Sequence, residues 1–319
     1  MGHYLGAWLL ALLQTAFFVA GAPLLAGWVK VVKCRLQNRQ APSLLQPYRN
    51  LAKLMGKEVV LAHDASWLFR GAPYAIFGAL VLAASVVPLV FTHLPTTAIA
   101  DMIVLVGFFA LARTTQALAG MDIGTAFGGM GSSREVTIAS LAEPAMLMAV
   151  FTLAMTASST NLSAAMDNIL VGGLVLRPSF VFALLALLMV AVAETGRIPI
   201  DNPATHLELT MVHEAMVLEY SGHHLALIEW ASHLKLMVYA TLIVNLFVPW
   251  GIAVHGKSGA LLIGLLAILV KLAVLGAMLA LEETLVAKMR LFRVPEYLSF
   301  AYLLSVLGML SHVILEVGG

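Results

Sequence analysis

Apolar residues in this chain come in long runs rather than at the spacing of half-buried strands or surface helices. Eight runs can be marked, at roughly 5–29, 71–92, 98–119, 137–157, 179–194, 234–254, 259–281 and 298–316. A helix needs about 17–25 residues to cross roughly 30 Å of hydrocarbon, so each run reads as a membrane span. The fifth has only about fifteen residues before Glu194, and is expected to tilt little or to be lengthened by polar neighbours buried in protein. The first follows Met1, Gly2, His3 and Tyr4 with no Lys or Arg, and is too long for a signal peptide, so it is expected to persist as a span. The fold class is therefore all-α: a polytopic membrane protein of about eight transmembrane helices. No repeat, Gly/Ser linker or low-complexity tract divides it, and 1–319 is expected to form a single transmembrane domain.

Composition sharpens this. Hydrophobic residues make up 61% and charged residues 11%, with a mean hydropathy of +0.95. Soluble domains carry about 25% charged residues, so a soluble enzyme is excluded. The net charge of +1, from 18 basic and 17 acidic side chains, leaves no basic excess for a nucleic-acid partner. Cys34 is the one cysteine, which excludes a disulfide framework and an iron–sulfur cluster held by this chain alone. Any redox centre then sits in a partner, or rests on histidines.

Charge is uneven between loops. Lys30, Lys33, Arg35, Arg39, Arg49, Lys53, Lys57 and Arg70 lie between the first two spans, and Arg134, Arg197, Lys288, Arg290 and Arg293 fall on the same side. The opposite loops hold Arg177 and Lys257. The positive-inside rule makes the basic side cytoplasmic, with elaborated loops at about 30–70, 120–136, 195–233 and 282–297 and both termini outside. In the first of these, Leu44, Leu45, Tyr48, Leu51 and Met55 recur at helical spacing, Pro47 suits a first turn, and Arg49, Lys53 and Lys57 form a basic stripe. Such a helix either lies in the headgroup layer or docks a cytoplasmic partner.

The stretch from Glu194 onward carries the chemistry. Glu194, Asp201, Glu208, Glu214 and Glu219 fall within 26 residues of a chain otherwise short of charge. Gly196, Pro199 and Pro203 predict irregular backbone, tolerated at membrane depth only in protein or beside water. From Thr205 the pattern predicts a helix, on which Glu208 and Glu219 share a face about 16 Å apart while Glu214 points elsewhere. Arg134 precedes the fourth span. Glu143 lies inside that span, followed by Pro144, which leaves the Ser140 carbonyl without its helical donor. Arg113 and Lys271 interrupt the third and seventh spans, and Glu282 and Glu283 end the seventh. Ionisable groups inside a membrane are costly and mark ion or proton pathways by default; the bland alternative is that they only pair with one another. Arg197, three residues from Glu194 and four from Asp201, is expected to hold one carboxylate ionised while a more buried one keeps its proton. Candidate proton-path residues are thus Glu143, Glu194, Asp201, Glu208, Glu214 and Glu219, with Arg134, Arg197, Lys271 and Glu283 around them. His206, His213, His223, His224 and His233 cluster in the long loop, but His213 has no second histidine four residues on, and adjacent His223 and His224 diverge on a helix. They read as ordinary histidines, and no redox cofactor, metal or catalytic residue is expected in this chain.

Glu194, Thr195, Gly196, Arg197, Ile198, Pro199, Ile200 and Asp201, then Glu208-Leu209 and Glu219 to Gly222, resemble the acidic loop between helices five and six of the membrane subunit shared by respiratory complex I and the group 4 membrane-bound nickel–iron hydrogenases. That family includes formate hydrogenlyase and hydrogenase-4. Gly131, Ser132 and Ser133 before the spaced Arg134 and Glu143, and Arg39, Gln46, Pro47, Tyr48, Arg49, Lys53 and Leu54, resemble it as well. The resemblance covers essentially the whole chain. It implies a bacterial or archaeal cytoplasmic-membrane anchor that docks an iron–sulfur small subunit and a hydrogenase-like large subunit through Arg39, Gln46, Tyr48, Arg49, Lys53 and Lys57. Antiporter-like membrane subunits would lie alongside, and redox chemistry in the peripheral arm would drive protons or another cation. Iron–sulfur clusters, with or without nickel–iron, would belong to the partners. Asn202, Pro203, Ala204, Thr205 and His206 stand where complex I subunits usually carry further acids, which favours the hydrogenase-like branch over a quinone site. A quinone-site subunit and a stand-alone secondary transporter are the alternatives; the latter predicts inverted repeats that the sequence does not show.

Overall fold

The computed structural model describes residues 2–90, 95–172, 177–201, 211–252 and 258–317. Its helices are α1 (Gly2–Leu36), α2 (Gln46–Met55), α3 (Trp67–Val86), α4 (Met102–Asp122), α5 (Ala126–Thr156), α6 (Leu162–Gly172), α7 (Pro178–Glu194), α8 (His213–Val217), α9 (Gly222–Phe247), α10 (Ser258–Leu285) and α11 (Val294–Ser311). Among the described residues there is no strand, only an isolated bridge between Asp101 and Asn161. Seven helices are long and apolar enough to cross a bilayer. The 17-residue α7 occupies the fifth run and is the shorter apolar helix expected there.

Helix ends follow the local chemistry. Ser66 caps α3, accepting from the Leu68 N–H, while its own N–H and hydroxyl donate to Asp122 at the end of α4. Asp101 and Thr125 cap α4 and α5, and α2, α7 and α11 start with proline in the first turn. The core α9 packs against α1, α3 and α7, and 72% of its apolar window is buried, against 28% for α10 and α11. Small residues let the outer trio approach closely. Ala142, Ala145 and Ala149 of α5, Ala183 and Ala186 of α7, and Ala301 of α11 are fully buried where those helices meet.

Three sequence expectations are corrected here. The loop expected at 120–136 is mostly helix, since α5 starts at Ala126; its first turns are polar, and hydropathy sees only the apolar part of a longer helix. The loop expected to run to 233 ends at Gly222 for the same reason. The helix expected to carry both Glu208 and Glu219 is also absent as such: Glu208 lies outside the described residues, α8 ends at Val217, and Glu219 is exposed in the following turn.

The break before α9 is anchored to the first basic loop. The Ser221 hydroxyl donates to the Val60 carbonyl and accepts from the Val60 N–H. Gly222 follows at φ +56°, with the Glu58 carbonyl oxygen 2.5 Å from where a Cβ would stand. Gly222→Ala is therefore expected to destabilise the chain by roughly 2–3 kcal/mol through strained backbone and lost contact. Thermal unfolding in detergent checks this; an unchanged midpoint would show that the loop yields freely.

Candidate functional site

Arg113 sits deep in the bundle, its side chain 5% exposed, and gathers acids from two other helices. One guanidinium nitrogen contacts Glu194, at the end of α7, whose side chain is 1% exposed. Another lies 3.1 Å from Glu143 Oε1 of α5, and Nε is 3.7 Å from Glu135 Oε1 on the same helix. Lys235 of α9 brings Nζ within 2.9 Å of Glu194 Oε2. Three carboxylates thus share two basic side chains. Fully ionised, the five groups carry one negative charge in excess.

Toward the basic end of the bundle, His213 Nδ1 of α8 is 4.0 Å from Glu135 Oε2. The backbone N–H groups of Val212 and His213 donate to Asp201 Oδ2 at 3.3 and 3.0 Å, and Lys288 Nζ lies 3.6 Å from Asp201 Oδ1. Toward the far end, Phe109 and Tyr239, one turn beyond Arg113 and Lys235, stack at 4.4 Å between centroids. Glu143 is two turns deeper along α5 than Glu135, and at 36% it is far more exposed than Glu135 at 9% or Glu194 at 1%.

Several sequence-assigned residues lie elsewhere. Arg134 donates to the Met211 carbonyl at 2.9 Å, while Arg113 lies beside Glu143. Nine residues at about 100° each put Arg134 and Glu143 on opposite faces of α5. Arg197 pairs with Glu283 at 2.7 Å, and Lys33 reaches the same carboxylate at 2.6 Å, so this second cluster ties α1, the segment after α7 and α10 together. Lys271 donates to the Val248 carbonyl at 2.6 Å, 5.3 Å above the centre of the Trp250 ring, and serves the broken end of α9 rather than the acids. Glu214 is half-buried on α8. Glu135 and Lys235 carry weak sequence signals, because Glu135 lies before the apolar run of α5 and Lys235 at the edge of the run in α9.

At the basic end, Arg39, Arg49, Lys53 and Lys57 are exposed. Lys57 lies beyond the Gly56 cap of α2, so the helix carries only Arg49 and Lys53 of the stripe. Gln46 donates to Asn50 at 3.0 Å, and the Tyr48 hydroxyl donates to the Ala20 carbonyl of α1. The Tyr48 bond ties α2 to α1, while the Gln46–Asn50 bond lies within α2. Burial pushes the Tyr48 hydroxyl pKa up, which keeps it a donor. An apolar cleft of about 410 Å³ opens among α1, α7, α9, α10 and α11, with Thr195, Glu282 and Tyr297 among its few polar lining groups. Among the described residues, no three His, Cys, Asp or Glu side chains converge as metal ligands.

The model of the NADH dehydrogenase family matches residues 8–314. Formate hydrogenlyase subunit 4 of Escherichia coli K12 is 35% identical over 89% of this chain and 92% of its own length. Hydrogenase-4 component C of the same organism is 33% identical over 88% of each. An NADH-quinone oxidoreductase subunit of Salinibacter ruber is 26% identical over 73% of this chain and 71% of its own. A chain in the structure of the membrane-bound sulfane sulfur reductase, an archaeal respiratory membrane complex, superposes with a TM-score of 0.80. It covers 96% of this chain and 99% of its own, and at 18% identity it shares the fold.

Proposed function

The chain belongs to the NADH dehydrogenase family, and from that premise we propose that it is the membrane anchor and proton-path subunit of a group 4 hydrogenase-type respiratory complex in a bacterial or archaeal cytoplasmic membrane. The relatives are named as a subunit, a component or part of a complex, which supports a complex member over a stand-alone transporter. Identities of 35% and 33% to the hydrogenase-named relatives, against 26% to the quinone-reductase subunit, favour the hydrogenase-like branch.

The observation that carries the proton half is the single surplus carboxylate shared by Arg113, Lys235, Glu135, Glu143 and Glu194. A redox change in the peripheral arm shifts the charge felt by the segment that holds Asp201 and His213. His213 faces Glu135, so the cluster responds by taking up or releasing its proton, and Glu143 passes it on. Asp201 positions that segment, with Glu208, Glu214 and Glu219 in the same stretch of chain. The second cluster, Arg197 with Glu283 and Lys33, holds the basic end rigid. An iron–sulfur small subunit and a hydrogenase-like large subunit bring the metal chemistry, and antiporter-like subunits lie alongside in the bilayer.

The docking half rests on the exposed Arg39, Arg49, Lys53 and Lys57. Replacing Arg49, Lys53 and Lys57 together by Glu is expected to release the soluble subunits from membranes while the chain still inserts, since none of the three is buried. Immunoblots of washed membranes measure this; retained soluble subunits would contradict docking at this surface. The isolated chain is also expected to carry no iron, haem or flavin, checked by metal analysis and absorption spectra.

The quinone-site reading has one observation in its favour, the apolar cleft of about 410 Å³, which matches a lipophilic chain. Ala240→Trp, aimed into this cleft, tests it: loss of quinone-dependent turnover in the assembled complex supports that reading, and unchanged hydrogenase-type turnover supports the first.

A further inference from the structure

Between α5 and the turn that opens α11 lies a groove of about 220 Å³. Its floor is apolar and buried, made by Ile138, Val294 and Leu298. Arg134, Thr137 and Phe292 also line it, and among the described residues none of its lining is acidic. Phe292 is 90% exposed, between the exposed Arg290 and Arg293. Leu285 and Val286, at the start of the same connection, are exposed too. Glu135, next to Arg134, faces Arg113 instead, and Glu296 is exposed in the first turn of α11. The apolar runs of α5 and α11 begin at about 137 and 298, so the groove lies where the chain passes from polar surroundings into hydrocarbon.

An aromatic ring and an apolar trough at that depth, with Arg134 in the lining and the exposed Arg290 and Arg293 flanking Leu291 and Phe292 in sequence, match one amphiphile on both counts. An acidic segment of a soluble partner would meet the arginines but leave Phe292 and the trough unfilled. We propose that this groove is a binding site for an anionic phospholipid. One acyl chain lies against Ile138, Leu298 and the Phe292 ring, and the phosphate is held by Arg290, Arg293 and the guanidinium nitrogens of Arg134 not engaged by Met211.

The test uses the assembled complex, stripped of lipid in detergent and titrated with phosphatidylglycerol or phosphatidylcholine of identical acyl chains, with bound lipid counted by native mass spectrometry. Phosphatidylglycerol is expected to bind selectively. Each basic residue near an anionic headgroup is worth about fivefold, so Arg290→Glu with Arg293→Glu should weaken phosphatidylglycerol by at least about 25-fold and leave phosphatidylcholine unchanged. Arg290→Lys with Arg293→Lys should keep the selectivity, which separates lost charge from lost fold. A photo-crosslinking phenylalanine analogue at position 292 should capture lipid. Equal binding of the two lipids, selectivity that survives charge reversal, or capture of a polypeptide at position 292 would each overturn the proposal.

Discussion

Arg113→Met is expected to prevent stable accumulation of the chain in the membrane. The substitution leaves Glu194, with a side chain 1% exposed, facing only Lys235, and strips Glu135 and Glu143 of their shared cation. Removing one member of a buried ion pair costs about 3–5 kcal/mol, a large share of the roughly 5–15 kcal/mol that stabilises a typical protein. Arg113→Lys should recover part of the loss, because an ammonium group cannot reach three carboxylates as a planar guanidinium does. Arg113→Met with Glu194→Gln should recover more, because the orphaned charge is gone. Quantitative immunoblots of the membrane fraction, with and without the double variant, measure this. Parent-level accumulation of Arg113→Met would mean that Lys235 alone satisfies Glu194.

Glu143→Gln is expected to have the opposite profile: intact assembly with crippled coupling. Glutamine keeps the shape and can still accept from Arg113, and Glu143 is the least buried acid of the cluster, so the structural cost is small. What disappears is a titratable group on the route out of the site. Positioned proton-transfer groups are worth about 100-fold or more, so proton-coupled turnover should fall by about that factor, while the peripheral arm's reaction with an artificial acceptor stays within about twofold. Glu143→Asp, which keeps the proton but shortens the reach, should fall between. Turnover of the Gln variant at the parent rate would make Glu143 a structural carboxylate.

The architecture was legible in sequence to a much greater degree than the site was. Eight apolar runs become seven long helices and the shorter α7, because in hydrocarbon the backbone must satisfy its own hydrogen bonds and helices are the answer for runs of this length. Hydropathy missed the polar ends of α5 and α9, which continue the helices beyond the apolar core. The importance of Glu143 and Glu194 could be read from charge inside an apolar run. Their partners could not, because pairing depends on which helices pack together: Arg113 meets Glu194 across 81 positions, and Arg197 meets Glu283 across 86. Sequence spacing linked Arg197 to Glu194, and packing pairs Arg197 with Glu283.

The central claim is that a carboxyl group of this cluster changes its protonation when the peripheral arm changes redox state. Infrared difference spectroscopy of the assembled complex, reduced minus oxidised, observes that event directly as a change in the carboxyl C=O stretch, which shifts on exchange into deuterated water. The account predicts a redox-linked carboxyl band that disappears in Glu143→Gln and persists in Glu296→Gln, an exposed acid outside the cluster. A carboxyl difference spectrum unchanged by Glu143→Gln would contradict it.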